Sequence, residues 1–212
     1  MRTAIVVVVV LLASGSCCSH PGPGSCPSCP ACPQAGTEAG AAATPATFTD
    51  NQGTAVTFEL GARAFADRIV SAEPGDPART AAGWTDPAAA LAVPDYHGEH
   101  DEPPTAVTLG CGGVLVVEFT DNGLVDGPGA DLHVFECGPD VEAMHIAISV
   151  DGTSWTEVGD VRGQPAQVDL AAVAAPDVSY RFVRITDLRD SCSSTFPGAD
   201  IDAVGAIHAV AL

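Results

Sequence analysis

The 212-residue chain contains no lysine. Its 8 arginines face 27 acidic residues, for a formal charge of -19. Nucleic acid is excluded as a partner on that ground, because binding it requires Lys or Arg to neutralise phosphates. Divalent cations and neutral sugars fit such a chain better, and an acidic surface keeps an exported protein in solution. Aromatic residues are scarce, at 5%. The motifs of the common enzymes are missing too. There is no Gly-x-Ser-x-Gly elbow, Walker loop, His-Glu-x-x-His pair or dinucleotide glycine motif. A glycosidase needs two facing carboxylates, and nothing in so acidic a sequence singles out a pair. The expected activity is therefore none, with a glycan-active hydrolase or lyase as the third choice. No internal repeat is visible.

What is present begins with an address. Arg2 is followed by Ala4, Ile5, five valines (Val6 to Val10), Leu11 and Leu12. The small residues Ala13-Ser14-Gly15-Ser16 and the pair Cys17-Cys18 come next. A positive start, a short apolar core and a small-residue exit is the pattern of a secretory signal, expected over residues 1–16. The apolar run falls short of the about twenty residues that span a bilayer. The cysteine after the small residues resembles the lipobox of bacterial lipoproteins, although Ser14 stands where that motif usually has Leu. The resemblance implies lipidation of Cys17, attachment to a membrane through the lipid, and an outer-membrane lipoprotein. A secreted or periplasmic protein is the alternative. Residues 17–47 are rich in Pro, Gly, Ala, Ser and Cys and read as a disordered, extended tether. Cys26, Cys29 and Cys32 lack a fourth ligand for a soft metal, and exported thiols oxidise. A disulfide-linked or cross-linked tether is expected there.

From residue 48 to 212 the pattern is all-β and long enough for one core. Val114 to Thr120, Met144 to Val150 and Tyr180 to Thr186 carry β-branched residues or strict alternation. Ile201 to Leu212 reads as one closing strand. Weaker strands are expected over 55–60, 106–109, 131–136, 155–161 and 166–170. Turn signals separate them: Asp121-Asn122-Gly123, Gly127-Pro128-Gly129, Asp151-Gly152 and Pro197-Gly198. Short helices are plausible only over 64–70 and 87–92. Eight or so short strands in one domain predict a sandwich or jelly roll.

The hairpin Ser149-Val-Asp151-Gly152-Thr-Ser-Trp155, followed later by Phe182-Val-Arg184-Ile185, is similar to the discoidin family. That family implies the galactose-binding-like jelly roll of many carbohydrate-binding modules. Asp-Gly supplies the turn such a hairpin needs, and Trp155 is expected as a core anchor. A narrower resemblance covers Phe65 to Ile207. Its residues are Phe65-Ala-Asp67-Arg-Ile-Val70, Val107-Thr-Leu109-Gly-Cys111-Gly-Gly113, Asp126-Gly-Pro-Gly-Ala-Asp131-Leu-His-Val-Phe135-Glu136 and Pro197-Gly-Ala-Asp200-Ile-Asp202. These look like a bacterial cell-surface domain found in envelope lipoproteins and in chains that add an OmpA-type domain. No such second domain is expected within these residues. The family has no settled activity.

Acidic residues are the candidates for a metal. Asp121, Asp126 and Asp131 recur every five residues in one Gly-rich region, and Asp200 and Asp202 flank the last loop. Carboxylates and loop carbonyls are the hard oxygen donors that Ca²⁺ takes six to eight at a time. These five are the expected Ca²⁺ ligands, against the plainer role of aspartate in turns. His97-Gly-Glu-His100 could take Zn²⁺, but it lies between prolines and reads as a solvated loop. Of Cys111, Cys137 and Cys192, two should pair in an oxidising compartment. The family resemblance carries cysteines at Cys111 and Cys192 and implies that pair. Cys137 with Cys192 is the rival.

Two functions fit. The first is a non-catalytic envelope module that recognises a surface glycan or other envelope polymer, with Ca²⁺ shaping its loops. Its sugar platform would be Trp84, Tyr96 and Phe196, the loop aromatics. The second is a structural or protein-interaction module of the envelope without a small ligand. Aromatics exposed in a cluster favour the first, and aromatics buried under the sandwich favour the second.

Overall fold

Two antiparallel sheets stack face to face. The first has five strands: β3 (Arg68–Glu73), β5 (Val114–Glu118), β11 (Phe182–Asp187), β8 (Met144–Ser149) and β9 (Thr156–Val161), in that spatial order. The second has four: β10 (Gln167–Val168), β7 (Leu132–Glu136), β12 (Asp200–Ala206) and β4 (Val107–Thr108). Two ribbons complete the fold. One joins β1 (Ala46–Thr49) to β2 (Ala55–Phe58), and the other joins β6 (Asn122–Leu124) to β13 (Ala209–Ala211). This computed structural model describes residues 43–79, 84–96, 105–138 and 141–212. The expected signal over 1–16, Cys17, the tether cysteines and the His97/His100 pair lie outside the described residues. No helix among the described residues is long and apolar enough to cross a membrane.

The expected all-β sandwich is what forms, and its core follows from alternation. Leu115 and Val117 on β5, Met144, Ile146 and Ile148 on β8, and Val183 and Ile185 on β11 are buried in one cluster. Leu132 and Val134 on β7 and Ile201, Val204 and Ala206 on β12 belong to the same cluster. Each such large side chain removed from water contributes about 1.5–3 kcal/mol. The Asp151-Gly152 hairpin turn is present, with Gly152 at φ 73°. Asp151 Oδ1 accepts hydrogen bonds from the Thr153 and Ser154 amides, each at 2.8 Å.

The four-stranded sheet is buried on both faces. On its outer side Phe58, Phe65, Phe135, Val56 and Ala203 form a second cluster. The Phe58 ring lies 4.8 Å from Phe65 and 6.0 Å from Phe48 and from Phe135. The β1–β2 ribbon therefore acts as a lid that turns a half-solvated sheet into a covered one. It begins at Ala46, two residues before the expected start of the domain.

Several expectations are corrected. Residues 64–70 do not form a helix. A 3-10 turn covers Gly61–Ala64, and β3 takes Arg68–Glu73. Ile69 and Val70 are β-branched and stiff in a helix, and β3 finds an antiparallel partner in β5. The other expected helix is one 3-10 turn, Pro87–Ala90, whose Asp86 cap accepts from the Ala88 amide at 2.9 Å. Asn122-Gly123 is not a turn but part of β6, because β13 supplies its ladder. The single closing strand splits into β12 and β13. Trp155 is not a core anchor. It is half-buried, with the Arg184 guanidinium 4.6 Å from its ring centre.

Candidate functional site

β7 and β12 run antiparallel, with Glu136 beside Ile201 at one end and Leu132 beside Ala206 at the other. This register separates the five expected metal ligands. Asp200 and Asp202 sit at the Glu136 end, while Asp131 precedes Leu132 at the opposite end. The structure does not gather the five around one point.

At the Asp131 end, Asp126 and Asp131 come together with Asp169, one carboxylate oxygen of each lying within 4.8 Å of the others. Asp169 was not anticipated. Asp131 is fully buried, and both its oxygens are committed. Oδ1 accepts from the Gly127 amide and Oδ2 from the Leu170 amide, each at 2.7 Å. Burial raises its carboxyl above the ordinary range, and these two amides oppose the rise. Asp131 is thus a clamp between two loops. Asp121 is elsewhere, paired with the Arg63 guanidinium at 3.0 Å.

At the Glu136 end the chain brings together residues more than a hundred positions apart. Trp84, Tyr96 and Phe196 meet there. The Trp84 ring lies 6.0 Å from Tyr96 and 5.1 Å from Phe196. Trp84 is only 4% exposed, whereas Tyr96 and Phe196 are half-buried. Arg79 lies 3.5 Å over the Phe196 ring and donates to the Thr195 carbonyl. Asp200 lines a small hollow with all three aromatics. It also accepts a hydrogen bond from the Thr108 hydroxyl.

Tyr96 is shared with a polar cleft of about 250 Å³ lined by Asp50, Asn51, Pro94, Glu136 and Asp202. Asp202 occupies a bulge in β12 and accepts from the Asp95 amide at 3.1 Å. The cleft's other wall is the β1–β2 turn. Asp50 accepts from the Gln52 and Thr54 amides, and Asn51 and Gln52 donate to the Gly138 carbonyl. Below it, His133 is buried 3.4 Å from Asp50. Burial pushes its imidazole down to about 4, so it is neutral at physiological pH.

Beside this cleft Glu136 faces Glu142. Burial, and then the Glu142 carboxylate, push the Glu136 carboxyl well above the ordinary range.

The expected disulfide is present. Cys111 and Cys192 are joined with their Cα atoms 5.2 Å apart, and Cys137 is buried near Trp84. Asp187 ties the same loops together, accepting from the Gly112, Arg189 and Ala199 amides. Gly198, at φ 78°, has no room for a side chain, because a Cβ would collide with the Gly110 carbonyl.

Away from either end, an ionic network crosses the surface of the five-stranded sheet. His145 bonds Asp160 at 2.7 Å and Glu157 at 2.9 Å, and Arg184 bonds Glu157 at 2.8 Å. The Asp160 bond, aided by Glu157, raises the His145 imidazole above its ordinary 6.5. A raised folded-state value means that protonated His145 stabilises most at acid pH, and that this stability is lost as pH rises through the folded value. The melting temperature of His145→Gln should therefore trail the parent's most below pH about 6.5 and converge with it in alkali. An equal gap at every pH would show that the proton plays no part.

No family model matches the chain, and no curated protein matches it. Among solved structures, the C-terminal domain of a chitobiase from Bacteroides fragilis is similar to part of it. The TM-score is 0.33 and the identity 14%, over 47% of this chain. The match spans 64% of that domain.

Proposed function

We propose that this protein is a non-catalytic binding module of the cell envelope. It takes a neutral glycan segment in the cleft beside Tyr96, and Ca²⁺ shapes its loops. The observation that carries the reading is the cleft itself. Its polar wall of Asp50, Asn51 and Asp202 continues into the aromatic face of Tyr96. Sugars need both, since hydroxyls seek carboxylate and amide partners while the pyranose face stacks on a ring. The acidic chain suits a neutral ligand and disfavours an anionic one. The lipid anchor at Cys17 and an outer-membrane location belong to the same proposal, resting on residues 1–18.

A second reading has its own observation. Trp84 is buried, and Arg79 covers Phe196, so two of the three aromatics already have partners inside the protein. A structural or protein-interaction module would look like this. Affinity electrophoresis in gels cast with neutral polysaccharides separates the two. The binding module is retarded, and Tyr96→Ala abolishes the retardation without lowering the stability by more than about 1 kcal/mol. Unretarded migration in every neutral polysaccharide supports the structural module.

A further inference from the structure

We propose that Glu136 and Glu142 hold a hard divalent cation of the Ca²⁺ class between them, with Asp200 adding negative charge beside it. The inference deepens the cation part of the binding-module reading and does not depend on its glycan part.

Glu136 is 1% exposed. Its Oε1 accepts from the Asp200 amide at 3.0 Å. Its Oε2 is shut off from solvent, and no hydrogen-bond donor among the described residues reaches it. Glu142 presents the same condition, because its own Oε2 is buried and no donor among the described residues reaches it. The two carboxyls face one another, and Asp200 lies close enough to act on Glu136 electrostatically. The ion pairs of the described residues engage Glu59, Glu118 and Glu157 but neither of these glutamates.

Charged, buried carboxylates without donors are costly. Side by side, they require something positive between them, either a shared proton or a metal ion. The donors on both side chains are hard carboxylate oxygens. Ca²⁺ accepts six to eight such ligands in flexible geometry, including waters and carbonyls, whereas Mg²⁺ demands a near-ideal octahedron. Each glutamate borders a different opening, Glu136 the polar cleft beside Tyr96. Glu142 borders an open hollow of about 300 Å³ lined by Arg162, Asp190 and Ser191. The consequence reaches the cleft, since Glu136 lines it, and the Trp84 hollow, since Asp200 lines that one. The Asp126–Asp131–Asp169 group differs, because its buried member already spends both oxygens on backbone amides.

The test is isothermal titration of the chelator-stripped, full-length chain with CaCl₂, comparing the parent with Glu142→Gln and Asp169→Asn. Glu142 is partly exposed, so its amide replacement should leave the fold intact, which circular dichroism checks. The expected result is a Ca²⁺ site in the parent that Asp169→Asn retains and Glu142→Gln weakens at least tenfold. The proposal is overturned by no Ca²⁺ binding in the parent, which leaves a shared proton between the glutamates. It is equally overturned by binding that Glu142→Gln leaves unchanged. Loss of glycan retardation with Ca²⁺ binding intact would count against the glycan reading alone.

Discussion

Replacing both Cys111 and Cys192 by serine should lower the stability of the domain by roughly 4 kcal/mol, on the chain-entropy estimate for a loop of this size. The two cysteines are 81 residues apart, so the bond restricts a large part of the unfolded chain. In the folded chain the bond joins the Gly-rich approach to β5 with the loop leading into β12. Asp187 holds the same segments through three amides. The reduced protein should therefore keep its fold and lose stability. For a domain of this size the melting temperature should fall by about 8–16 °C. Scanning calorimetry of the parent, with and without reductant, and of the double mutant would check this. A melting temperature indifferent to reductant would mean that the unfolded chain is already restricted by other means.

Phe58→Ala should cost about 3–5 kcal/mol, the usual toll of removing a fully buried aromatic ring. Phe58 is fully buried and stands among Phe48, Phe65 and Phe135. Removing it would leave a cavity between the β1–β2 ribbon and the outer face of the four-stranded sheet. Chemical denaturation gives the number directly. Val70→Ala, at a side chain 41% exposed, serves as the control and should change stability by less than about 0.5 kcal/mol. If Phe58→Ala behaves like that control, the ribbon is an ornament and not part of the core.

The contrast between these two sites also shows what could be read from the residues. Met144, Ile146 and Ile148 alternate with half-exposed or smaller partners, and so β8 was visible. β7 is harder because both faces are covered, which makes His133 and Phe135 as buried as Leu132 and Val134. β3 and β6 were missed for a different reason. Asp121-Asn122-Gly123 carries strong turn chemistry, yet β13 supplies a ladder that overrides it. Asn122 is fully buried as a result. Local preference yields to tertiary pairing in both strands.

The site was partly legible. Trp84, Tyr96 and Phe196 stood out as loop aromatics, and Asp200 and Asp202 as acids near the chain's end. Nothing in the sequence could say that these two sets belong together. The β7–β12 register decides that, and the same register sends Asp126 and Asp131 to the other end. Asp169 escaped notice because it follows a two-residue strand and carries no spacing signal. Glu142 escaped because a lone glutamate after a loop has no pattern at all, and only its approach to buried Glu136 gives it meaning.

The chain contains 2 tryptophans, which makes one measurement decisive. Trp84 stands at the aromatic end beside Tyr96, and Trp155 lies on the surface of the five-stranded sheet beneath Arg184. Their indole N–H signals can be followed together by nitrogen–proton correlation spectroscopy while neutral gluco-, galacto- and manno-oligosaccharides are added in the presence of Ca²⁺. A binding module that uses the Tyr96 cleft should shift the Trp84 signal in a saturable manner and leave the Trp155 signal in place. If Trp84 stays still with every oligosaccharide, or if Trp155 alone moves, the cleft is not a glycan site and the structural-module reading takes its place.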